Sequence, residues 1–156
     1  MSKILEQVLK TDNGISQLAL RLPVGVILLA HGAQKLFGWF GGYGLEGTGQ
    51  YMSSLGLDPG YLMAMLAGSA EFFGGLALIF GLLMRPASVV LAFTMLVAML
   101  SAHIGNGLFL SNGGYEFALV LMVVTVSLAI SGGGRLSLDR LLTRHLAMVE
   151  PQRVLV

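Results

Sequence analysis

The sequence predicts an all-α integral membrane protein, a four-helix transmembrane bundle of up-down topology with both termini in the cytoplasm. Three observations carry that prediction. Four apolar stretches reach or approach the roughly 17–25 residues needed to cross ~30 Å of hydrocarbon. The chain is 55% hydrophobic but only 11% charged, where a soluble domain has about a quarter of its residues charged, and its mean hydropathy is +0.81. Lys and Arg also gather on one side of the apolar stretches, as the positive-inside rule requires of a cytoplasmic face.

Taken in order, residues 1–14 are polar to amphipathic, with Ile4, Leu5 and Val8 on one face of a short helix, and form an N-terminal cytoplasmic or interfacial segment. The transmembrane domain is expected over 15–135, with spans at about 18–40, 61–83, 86–107 and 115–130, followed by a cytoplasmic tail at 136–156. Leu22–Ala30 resembles a signal-peptide core with small residues at Ala30 and Gly32, but apolar character resumes through Leu36–Phe40, so a retained helix is expected. Met84-Arg85-Pro86 reads as a minimal turn, with Pro86 suited to a first helical turn. So tight a connection makes the second and third spans antiparallel neighbours. In the Gly-rich loop 41–60, residues 50–55 read as a short helix capping the outer mouth. Ala70 with Gly74 and Ala77 with Gly81 are small pairs, four apart, suited to close helix approach.

Lys3, Lys10 and Arg21 precede or open the first span, Arg85 sits in the tight turn, and Arg135, Arg140, Arg144 and Arg153 follow the fourth. The loops at 41–60 and 108–114 contain neither Lys nor Arg. Arg21 and Arg85 are expected to snorkel to the headgroups.

Ionisable residues inside apolar helices carry the functional expectation, because a charge at mid-bilayer costs roughly 2.5–3.5 kcal/mol on insertion scales. His31, Gln34 and Lys35 are spaced i, i+3, i+4 and share one face. At 1.5 Å per residue, His31 lies about 14 Å and Glu71 about 15 Å from the outer end of their spans, Lys35 a turn further out, and His103 about 6 Å deep. Asn106 follows His103 by three residues, and Glu116 opens the fourth span. Glu71 and His31 are the candidates for proton exchange, with Gln34, Lys35, His103, Asn106 and Glu116 as ligand-binding groups. Glu71 is expected to be paired with Lys35 or His31, or to be protonated. The plainer reading of each is structural: a register-locking ion pair for Glu71, a solvated His103, and a first-turn acid at Glu116.

Cysteine is absent, which removes disulfides, thiolate nucleophiles and cysteine-ligated clusters. No metal site is expected. His31 and His103 stand at different levels, which disfavours a bis-histidine haem, and Met95, Met99 and His103 at i, i+4, i+8 read as packing before they read as copper ligands. No nucleotide fingerprint, catalytic triad or basic nucleic-acid patch is present.

Four motifs occur in order: His31-Gly32-Ala33-Gln34-Lys35-Leu36, then residues 68–75 (GSAEFFGG), residues 81–87 (GLLMRPA) and residues 132–139 (GGGRLSLD). Over about residues 18–140 the chain thereby resembles the DoxX family of small bacterial membrane proteins. The resemblance implies a multi-pass protein of the bacterial inner membrane. It also implies an uncertain activity, since some members are named as small subunits of quinone-linked oxidoreductases acting on sulfur compounds such as thiosulfate, and many have no assigned role. The expected function is a membrane subunit that binds a small redox-active or anionic ligand, a quinone headgroup being one candidate, in the outer half of the bundle, with redox chemistry supplied by a bound cofactor or a partner. The rivals are a non-enzymatic scaffold or assembly factor for a redox complex and a small transporter. The partners implied are the lipid bilayer, other redox-complex subunits and further copies of the chain, without nucleic acid.

Overall fold

A computed structural model describes residues 7–12 and 14–149, and among them there is no strand. Ile4 and Leu5 of the expected N-terminal face, Lys3 and Arg153 lie outside the described residues. The helices are α1 (Ser16–Phe37), α2 (Gly44–Ser54), α3 (Gly60–Phe80), α4 (Met84–Ala98), α5 (Glu116–Ser131) and α6 (Leu138–Val149). Helix α4 continues through a π turn, Met99–His103, and a 3-10 turn, Ile104–Asn106. Three segments are long and apolar enough to cross a membrane: α1, α3 and the continuous Met84–Asn106. At 16 residues α5 is apolar but shorter, about 24 Å along its axis.

The span ends differ from expectation for local reasons. The first span stops at Phe37, not residue 40, because Gly38 takes the left-handed conformation (φ 71°) and its amide bonds back to Gln34. Phe40 then sits in a separate 3-10 turn, itself left-handed at φ 54°. Likewise the second span ends at Phe80, where Gly81 (φ 68°) reverses the chain. Helix α4 begins two residues before Pro86 because the Asp139 carboxylate accepts the amides of Leu83 (2.7 Å) and Met84 (2.9 Å), which a helix start otherwise leaves unpaired. The short outer helix is longer than the 50–55 reading, running over Gly44–Ser54 and packing Gly49 against the start of α3.

Helices α1 and α3 lie antiparallel and close, Gly25 beside Gly75 and Gly32 beside Gly68 and Phe72. A Cβ added at Gly32 would strike the backbone of Phe72, and one at Gly75 would lie 2.6 Å from the Leu29 nitrogen. The glycines in this seam therefore recur every seven residues on both helices, rather than as the expected pairs four apart. Gly74 instead faces Leu91 of α4, and Gly81 faces Ser137 and Arg21. Leu28, Leu78, Met84, Leu91 and Leu128 are fully enclosed and form the core with Val24, Met95 and Leu121. Phe73, Val89, Phe93, Val120, Val123 and Ile130 are exposed on the outside of the bundle, an apolar surface of the kind that lipid covers.

The end of the bundle beside residues 7–12 and α6, the termini end, is closed by charge on backbone. Arg21 does not snorkel: it is 2% exposed. Its Nη1 donates to the carbonyls of Leu78 (2.7 Å) and Ile79 (2.6 Å), and Nη2 donates to that of Leu136. Arg85 is half-buried and also turned inward, donating from Nε to the Lys10 carbonyl (2.8 Å) and from Nη2 to that of Ile130 (2.7 Å). The physical reason is the same for both. Carbonyls near the C-termini of α3 and α5 have run out of i+4 amides, and Arg21 takes two of those on α3 while Arg85 takes one on α5, each complementing the local helix dipole. Burial pushes the Asp139 carboxyl above the ordinary carboxylate range, and the amides of Met84 and Leu83 and the Arg21 charge pull against that rise.

Candidate functional site: a cavity beside Lys35 and Glu71

The site begins with helix periodicity. His31 and Lys35, one turn apart on α1, border the same space as Glu71 of α3, and Gly68, Gly74 and Gly75 let α1 and α4 approach α3 closely beside that carboxylate. Lys35 Nζ stands 2.5 Å from Glu71 Oε2, so of the alternatives open to Glu71 the partner is Lys35. The pair is unequally buried, the Lys35 side chain being 24% exposed and that of Glu71 4%. Glu71 Oε1 has no hydrogen-bonding partner among the described residues, and Lys35 has further N–H donors to give.

Beside the pair is a cavity of about 110 Å³. Its polar wall is His31, Lys35, Glu71 and His103, and Met95, Phe117 and Leu121 are prominent on the apolar side. His31 is exposed at the edge, its ring centroid 6.1 Å from that of Phe117. His103 Nδ1 donates to the Gly113 carbonyl at 2.8 Å. In the neutral ring this leaves Nε2 as an acceptor.

Four of the seven candidate residues therefore come together: His31, Lys35, Glu71 and His103. The other three are occupied at the loops. Gln34 Nε2 donates to the Phe40 carbonyl (3.3 Å), and Asn106 Nδ2 donates to those of Gly113 (3.3 Å) and Ala102 (3.4 Å). Glu116 Oε1 accepts the Leu110 amide at 2.5 Å. Sequence reasoning did not find the apolar wall. Phe117 sits beside Glu116 in an unbroken apolar run, and nothing local marks it as the neighbour of His31.

Size constrains the occupant. A cavity of about 110 Å³ holds three or four waters at ~30 Å³ each, and is smaller than the ~150 Å³ space that admits benzene. Small oxygen-bearing molecules fit as it stands. Lys35, Glu71 and His103 on the cavity wall are the kind of hydrogen-bonding groups that a quinone's carbonyl oxygens use, but a quinone ring exceeds the space as it stands. A haem macrocycle does not fit. Among the described residues no three His, Asp or Glu side chains converge as a metal site.

A DoxX family model matches residues 16–104, a range that contains His31, Lys35, Glu71 and His103. The chain is 37% identical over 144 residues to the inner membrane protein YqjF of Escherichia coli, covering 87% of this chain and 98% of that one. It is 34% identical over 125 residues to CatD of Bacillus subtilis, named provisionally as an oxidoreductase, covering 80% and 85% of the two chains. A protein of Haemophilus influenzae named only as uncharacterized is 29% identical over 134 residues, covering 85% and 86%. No solved structure matches the chain.

Proposed function

The chain belongs to the DoxX family and is a multi-pass inner-membrane protein, and on that premise we propose that it is the small membrane subunit of a quinone-linked oxidoreductase. Helices α1, α3, α4 and α5 form an up-down bundle with both termini in the cytoplasm. The charge distribution supports this orientation, since Lys10, Arg21, Arg85, Arg135, Arg140 and Arg144 stand at one end and the loops at the other end have no Lys or Arg.

The observation that carries the ligand reading is the half-satisfied ion pair. Lys35 holds Glu71 in place from one oxygen, and the other oxygen is left for a proton and a ligand in the adjoining cavity. A bound quinone headgroup supplies two-electron chemistry, with electrons exchanged through a partner subunit. Lys35 donates a hydrogen bond to a ligand oxygen, Glu71 exchanges a proton with it at Oε1, and the exposed His31 passes protons between the site and the surface. The provisional oxidoreductase name of CatD supports this reading. The transporter alternative is weakened by the core, because Leu78, Met84, Leu91 and Leu128 fill the bundle between the cavity and the termini.

The test is the full chain in nanodiscs titrated with a short-chain quinone analogue. Wild type should bind, and Glu71→Gln should weaken binding about tenfold, the loss of roughly one charge-assisted hydrogen bond. Equal binding by both proteins, or by neither, overturns the ligand site. Co-purification of redox subunits without quinone binding would replace it with the scaffold reading.

A further inference from the structure

A second concavity, of about 640 Å³, lies at the termini end between residues 7–12 and α6. It is bordered by Leu9 and by six polar residues, Gln7, Lys10, Thr11, Arg140, Thr143 and Arg144. Of the six, three are cations and three are neutral hydrogen-bonding side chains, and among the described residues no carboxylate borders it.

Both walls are fixed to the bundle before any ligand arrives. On one side the Lys10 carbonyl accepts from Arg85, the Asp12 amide donates to the Ser131 carbonyl (3.0 Å), and Thr11 Oγ1 accepts the Gly134 amide (2.5 Å). On the other side, Asp139 ties the first turn of α6 to the start of α4, and Ser137 Oγ accepts the Arg140 amide (3.3 Å). Arg140 and Arg144 are one turn apart on α6 and share a face.

The neighbouring face of α6 is apolar and uncovered. Leu138, Leu141, Leu142 and Met148 are exposed, at the i, i+3, i+4 spacing of a helix lying in the membrane interface. A free phosphate would use the cations and have no use for the leucines. A phospholipid uses both.

We propose that this concavity is a binding site for an anionic phospholipid, with the phosphate held by Lys10 and Arg144 beside Arg140, and the acyl chains lying along Leu138, Leu141 and Leu142. Basic pockets next to membrane helices hold anionic headgroups through this chemistry, each cation contributing enough for a several-fold gain in affinity. The site is remote from the Lys35–Glu71 cavity and stands or falls independently of the proposed redox role.

The experiment uses the full chain in neutral detergent, with short-chain phosphatidylglycerol, short-chain phosphatidylcholine and inorganic phosphate as probes. Thermal unfolding and native mass spectrometry report stabilisation and retained lipid. Phosphatidylglycerol should be retained about tenfold better than phosphatidylcholine, and Lys10→Gln/Arg144→Gln should remove that preference while leaving the lipid-free unfolding temperature unchanged. Leu141→Gln/Leu142→Gln should weaken retention of both lipids. If the double cation variant does not fold, Lys10→Gln alone should reduce the preference several-fold. Equal retention of the two lipids overturns the proposal, as does a preference that survives loss of the cations. Phosphate stabilising as well as phosphatidylglycerol would make this a free-anion site and overturn the lipid assignment.

Discussion

Arg21 and Lys35 stand on the same helix, yet the two ends of the bundle treat them differently. At the termini end, Arg21, Arg85 and Asp139 each bond to backbone at a helix end. Cations meet the C-terminal carbonyls of α3 and α5, and an anion meets the first amides of α4, so each sign agrees with the local dipole. At the loop end Lys35 meets a side chain of opposite charge, one carboxylate oxygen is left over, and a cavity lies alongside. Charge matched to backbone closes a structure. Charge matched to charge, with capacity left over, leaves room for a ligand.

Substitutions at the two ends should separate those uses. The largest effect is expected for Arg21→Met, which removes a buried guanidinium from the carbonyls of Leu78, Ile79 and Leu136 and should cost about 3–5 kcal/mol, read as a fall in unfolding temperature of ~2–4 °C per kcal/mol in detergent. A Tm near wild type would mean the termini end tolerates open acceptors and would erase the contrast. Lys35→Met comes next, at about 1–3 kcal/mol, because the stranded Glu71 can take up a proton. Adding Glu71→Leu should restore most of that loss while abolishing ligand binding, so a double-mutant cycle separates stability from function. Asp139→Asn is the smallest, about 1 kcal/mol, since the remaining acceptor oxygen keeps one of the two amides, Leu83 or Met84, and the other loses its partner. A larger loss there would show that α6 does more than cap α4.

These contrasts also mark what the sequence makes legible. Hydropathy locates the four apolar helices because lipid demands long apolar runs whatever the tertiary contacts. It does not locate their ends, which Gly38 and Gly81 set through left-handed backbone. The face shared by His31 and Lys35 follows from unbroken α periodicity, and the matching depth of Glu71 follows from counting. His103 and Asn106 do not obey the same rule, because a π turn and then a 3-10 turn replace the α register between Met99 and Asn106. The inward turn of Arg21 is hidden for another reason. Its acceptors belong to residues 57, 58 and 115 positions away, and a cation near a membrane boundary reads as a snorkelling side chain until those carbonyls are in place. Gln34 and Glu116 were legible as polar residues but not as loop ties, since their partners are backbone groups of turns that sequence alone does not shape.

The π turn in α4 makes chain length, more than residue identity, the control on one wall of the cavity. A turn that accommodates one extra residue rotates everything beyond it by about 100° about the helix axis. Deleting a single residue within Met99–His103 would return the helix tip to α register without changing any side chain after the deletion. His103 would then swing off the cavity wall and lose the Gly113 carbonyl, and the loop that supplies Leu110 and Gly114 would have to follow it. A polar site is thus set by an insertion of one residue in an otherwise regular membrane helix.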